Sequence, residues 1–114
     1  MEILTLSEKD KMLLFDSALT KFGIRAQLTM VVEECAELLN VIAKLSRNRD
    51  NYDHLLEELA DVHIMVEQIS YFYGYEKMKN WEQIKLQRLK QRLENYGTHK
   101  VNFSPYRNGK FESH

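Results

Sequence analysis

Punctuation is what this chain lacks. Over residues 1–97 there is no proline, and glycine occurs only as Gly23, Gly74 and Gly97. These two residue types make tight turns and stop helices, so their scarcity favours long helices over a many-turned β fold. Alternation of apolar and polar residues with period two is absent over any useful length.

Four helices are predicted. The first opens at Ser7, where Asp10 three residues on completes a capping box, and closes near Gly23. The second runs from about Ile24 to Leu45, until the polar stretch SRNRDNYD breaks the pattern. The third begins after Asn51 or Asp53, either a good N-cap, and ends at Gly74. The fourth runs from about Glu76 to Tyr96 and stops at Gly97. Residues 98–114, with Pro105 and Gly109, are expected as an extended tail. The expectation is one all-α domain over 1–97, a four-helix bundle-like protomer.

Its 114 residues suffice for a single core. The formal net charge of −1 gives no bulk attraction for nucleic acid or an anionic membrane, so neither is expected as a partner. Cys35 is the lone cysteine, a usage typical of a reducing compartment. No apolar run approaches membrane-spanning length, and acids interrupt MEILTLSEKD too early for a secretory leader. A cytoplasmic location is expected.

The charges are placed less blandly than the composition. At about 100° per residue, Leu28, Val31, Cys35, Leu38, Ile42 and Leu45 form a packing seam on helix 2, widened by Val32, Ala36, Leu39 and Ala43. Glu34 and Glu37 lie on its other margin, with Met30 and Val41 between them in angle, while Glu33 points outward. On helix 3 the apolar face is Leu55, Leu59, Val62, Met65, Val66, Ile69 and Phe72. Glu58 falls inside that face, Asp61 at its edge, and Glu57 points away. On helix 4, Lys85, Arg88 and Arg92 share the arc of Trp81, Ile84, Leu89, Leu93 and Tyr96. Lys44 leans toward the acid edge of helix 2. Acids and bases are thus aimed inward, where an ionised carboxylate is costly unless something compensates it.

Three explanations compete. Interhelical ion pairs at a bundle rim would be structural, although such a network stabilises weakly at best. An all-oxygen metal site suits Mg²⁺ or Mn²⁺ rather than zinc or copper. No Glu-x-x-His and no EF-hand loop occur, and His63, close to Asp61 in sequence, faces elsewhere. A cation beside Lys and Arg is the layout for holding a polyphosphate, which makes a metal-dependent phosphohydrolase the sharpest chemical reading. The third is a helical adaptor, which leaves the inward acids unexplained.

EECAE (33–37), followed after a gap by EELAD (57–61), resembles the Glu-Glu-x-x-Glu … Glu-x-x-Asp signature of the MazG-like all-α nucleoside triphosphate pyrophosphohydrolases. The likeness extends into KLQRLKQRL (85–93), similar to the ending of short single-domain members, and covers about residues 22–93. The resemblance implies Mg²⁺ ligands at Glu34, Glu37, Glu58 and Asp61, with Glu33 in an outer shell or on the attacking water. It implies phosphate contacts from Lys85, Arg88 and Arg92, to which Lys44 is a less direct addition. The implied reaction is water attack at the α-phosphorus of a nucleoside triphosphate, giving the monophosphate and pyrophosphate. Homodimers or homotetramers are implied too, and the aromatic cluster Tyr71, Phe72 and Tyr73 is generous for a lone protomer. Phe22, Gln27, Trp81 and Tyr106 are candidates to contact a base.

Overall fold

The computed structural model describes residues 2–96 and the backbone of 106–107 and 110–111. Its helices are α1 (Glu8–Phe22), α2 (Ile24–Leu45), α3 (Tyr52–Tyr73) and α4 (Tyr75–Asn95). A two-residue antiparallel ladder pairs β1 (Tyr106–Arg107) with β2 (Lys110–Phe111), too short for sequence alternation to register. The rest of the expected 98–114 tail lies outside the described residues. The chain divides into two compact units, Met1–Tyr75 and Glu76–His114.

Local chemistry sets the helix ends. Ser7 Oγ accepts from the Asp10 backbone N–H at 3.1 Å, and Asp10 reciprocates to the Ser7 N–H at 3.4 Å. This box satisfies two donors that a helix start leaves without partners. Gly23 closes α1 and opens α2 as a single-residue hinge at φ 84° and ψ 156°, a region open essentially to glycine alone. Asn51 caps α3 by accepting from the His54 N–H at 2.9 Å. Gly74, at φ 143°, ends α3 and gives its N–H to Ser70.

Within the first unit, α2 and α3 form the most extensive helix pair. α1 is anchored by Phe15, which is buried and tilted against Tyr71 with ring centroids 6.0 Å apart; Tyr71 in turn stacks on Tyr75 at 4.4 Å. Lys11 of α1 reaches Glu67 of α3 at 2.6 Å and Glu8 at 3.1 Å, and these contacts hold its ammonium well above the ordinary lysine range.

Among the described residues the buried apolar core is small: Phe15, Val41 and Met65. Gln27, Glu58 and Gln68 are buried with them. The expected seam of α2 is met in part: Val31, Cys35, Leu38 and Leu45 are half-buried, while Leu28 and Ile42 are exposed. The most buried stripe of α2 is Gln27 and Val41, with half-buried Glu34 midway between them, whereas Val32 and Leu39 stand 68% and 67% exposed. That stripe lies on the arc next to the seam, so the half-buried Val31, Leu38 and Leu45 interleave with it. Within the second unit by itself, no residue of α4 is buried. No helix among the described residues is long and apolar enough to cross a membrane.

Candidate metal centre

The facing residues of α2 and α3 can be followed level by level. The Gln27 side-chain amide donates to the side-chain oxygen of Gln68, an amide pair sealed in the core. Further along, Asp61 is the charge that acts most strongly on Glu34, and Glu37 the one that acts most strongly on Glu58. The partners advance along α2 and retreat along α3, so the helices run antiparallel. The i, i+3 spacing within each acid pair then turns all four carboxylates toward the shared interface.

Three of them converge. Carboxylate oxygens of Glu34, Glu37 and Glu58 all lie within 4.8 Å of one another. Asp61 stands outside that set, half-buried, yet its charge is felt by both Glu34 and Glu58. Glu58 is only 7% exposed, Glu34 is half-buried and Glu37 is exposed. Removal from water is the main reason that Glu34 and Glu58 sit above the ordinary glutamate pKa of 4.5. Neighbouring acids add to it, from Asp61, Glu37, Glu58 and Glu33 on Glu34, and from Glu37 and Asp61 on Glu58, where His54 opposes them.

Glu34 Oε2 and Glu58 Oε2 are buried without a hydrogen-bond partner. Among the described residues no lysine or arginine forms a salt bridge with Glu34, Glu37, Glu58 or Asp61. A buried carboxylate oxygen left unmet is costly, and acids this close repel one another. A cation that takes oxygen ligands would relieve both penalties at once. The donor set is all carboxylate, which fits a hard divalent ion such as Mg²⁺ or Mn²⁺.

Two residues that periodicity had not singled out support this cluster. His54 Nε2 lies 3.3 Å from Glu58 Oε1, while its Nδ1 sits between both oxygens of Asp50, at 2.9 and 3.1 Å. Asp50 is otherwise held by the Asn51 N–H at 2.8 Å. That backbone bond, then the contact with His54, keep the Asp50 carboxyl below its ordinary range; Asp50 in turn raises His54 above 6.5. The signal was Asp50-x-x-x-His54-x-x-x-Glu58, two successive i, i+4 steps. It is hidden because Asp50 precedes the cap and so reads as part of the polar linker.

The remaining predicted site residues are distributed as follows. Glu33 is exposed, as expected from its angle, and still adds to the field on Glu34. Lys44 is half-buried, and its charge acts on Asp50. In the second unit, Lys85 and Arg92 line an open groove along α4 with Met78, Glu82, Leu86 and Leu89, and Arg88 is exposed. His63 is on the surface beside Glu67, at 3.4 Å, away from the acid cluster. Of the candidates for a base contact, Phe22 and Trp81 are exposed and Gln27 is committed to Gln68; the Tyr106 side chain lies outside the described residues.

No family model matches this chain, and no curated protein or solved structure is significantly similar to it.

Proposed function

We propose that this chain is a Mg²⁺-dependent nucleotide pyrophosphohydrolase that cleaves a nucleoside triphosphate to the monophosphate and pyrophosphate. The observation that carries the reading is the pair of buried, partnerless oxygens on Glu34 and Glu58, two members of a trio with Glu37 whose carboxylates come within 4.8 Å of one another. Those acids occupy the motif positions through which EECAE and EELAD resemble the MazG-like enzymes.

In this reading Glu34, Glu37 and Glu58 hold the ion, with Asp61 as the fourth acid of the set. Bound Mg²⁺ would polarise the α-phosphorus and draw the phosphate oxygens into place. Glu33, exposed beside the cluster, is assigned to orienting the attacking water and accepting its proton. The resemblance makes Lys85, Arg88 and Arg92, with Lys44, the candidates for phosphate contact, where cations would offset the charge of departing pyrophosphate. The functional unit is proposed to be a homo-oligomer, because the protomer leaves Val32, Leu39, Leu56, Phe72 and Tyr73 uncovered.

A panel of ribo- and deoxyribonucleoside triphosphates, incubated with and without Mg²⁺ and assayed for pyrophosphate, tests the reading. Metal-dependent pyrophosphate and monophosphate from at least one nucleotide are expected. Release of orthophosphate alone would assign a different phosphohydrolase chemistry. Absence of turnover, together with a melting temperature indifferent to Mg²⁺, would favour a helical adaptor.

A further inference from the structure

We infer that His54, clamped by Asp50, is a positioning residue that fixes the Glu58 carboxylate for a divalent cation. The inference rests on the cation-binding reading of the Glu34, Glu37 and Glu58 cluster and adds to it the device that orients its most buried member.

The geometry leaves each group one task. Asp50 lies just ahead of the α3 cap, and its side chain is 6% exposed although it carries a charge. One of its oxygens takes the Asn51 N–H, and both face His54 Nδ1. His54 is therefore held through its ring by Asp50, while its backbone N–H is held by Asn51 Oδ1. With Nδ1 committed, Nε2 is the only ring nitrogen left for the cluster, and it faces Glu58 Oε1. The other oxygen of Glu58 is the buried one that no donor meets. A carboxylate on a glutamate stem otherwise turns freely about its last bond, exchanging its two oxygens. Contact with the imidazole removes that freedom: Oε1 belongs to His54, and Oε2 is presented as a single-oxygen ligand. Groups that orient a ligand in this way commonly change metal affinity by about 10–100-fold when removed.

Binding of Mn²⁺ alone to the full chain, followed by the loss of the free-ion electron paramagnetic resonance signal, tests the inference. Circular dichroism and metal-free melting would run alongside for each variant. His54→Ala is expected to weaken Mn²⁺ binding by about tenfold or more while helicity is retained, since the His54 side chain is 42% exposed. His54→Gln, whose side-chain amide could donate to Glu58, should recover much of the affinity. His63→Ala, the same change elsewhere on α3, should leave it unaltered. Asp50→Ala removes the clamp without touching the ring and should weaken binding in the same direction. Wild-type affinity in both His54→Ala and Asp50→Ala would overturn the positioning role and leave the cation site standing. A wild-type chain that takes up no Mn²⁺ would overturn the cation reading itself, and this inference with it.

Discussion

Glu34 of α2 and Glu58 of α3 bring carboxylate oxygens within 4.8 Å of one another, and each also buries an oxygen that no donor meets. Acids thus stand among the buried residues of two helices that also bury Val41 and Met65. The energetic consequence is a folded state that holds protons on these groups more tightly than the unfolded chain does.

Stability of the metal-free protein should therefore depend on pH in a defined direction. For Glu34 and Glu58, raised above 4.5, stability falls as pH climbs from that value through their folded ones. His54, raised above 6.5, adds stability below that value and loses it as pH rises further. Asp50, lowered from 3.8, acts oppositely, and its contribution disappears as pH drops through its depressed folded value. Melting temperature is expected to be highest in mildly acidic solution and to decline toward neutrality. If the proposed site takes Mg²⁺ in the folded state alone, the ion should remove much of the decline. Melts across pH, with and without the ion, decide this; a flat metal-free profile between 4.5 and 6.5 would count against the buried acids.

Glu58→Gln keeps the shape of the side chain and deletes one charge from the cluster. At neutral pH the metal-free variant should melt at the wild-type temperature or a few degrees above it, since a repelling group has gone. The rise in melting temperature with Mg²⁺ should shrink sharply, and nucleotide turnover should fall by about 10²-fold or more. A variant that is destabilised yet still active would indicate a structural carboxylate.

Gln27 and Gln68 offer a test of the packing independent of metal. Truncating either to Leu strands the other amide in the core, at a cost of about 1–3 kcal/mol. Replacing both should be nearly neutral, because no unmet polar group then remains. Urea unfolding of the two single variants and the double variant measures this coupling. Additive losses would mean that the two amides do not depend on each other.

Val32 and Leu39 lie two turns apart on one arc of α2 and stand among its most exposed large apolar residues. Replacing both with Glu should reduce the particle mass to that of one 13.6 kDa chain, measured by light scattering, if a second copy covers this arc. A wild-type particle already of that mass would dismiss self-association.

The ends of the helices were legible in the sequence. Ser7 with Asp10, Asn51, Gly23 and Gly74 carry the caps and stops, because these depend on backbone donors a few residues away. The placement of Glu58 inside an apolar face was legible too, since angle along a helix follows from spacing alone. Only the tertiary structure decided which positions of α2 are the most buried. Both the leucine-rich arc and the arc of Gln27, Glu34 and Val41 fit a helical period, and period says nothing about which neighbour covers which side. Joining Asp50 through His54 to Glu58 also needed three dimensions. That contact crosses the start of a helix, where the chain leaves the 100° step on which angular reasoning depends.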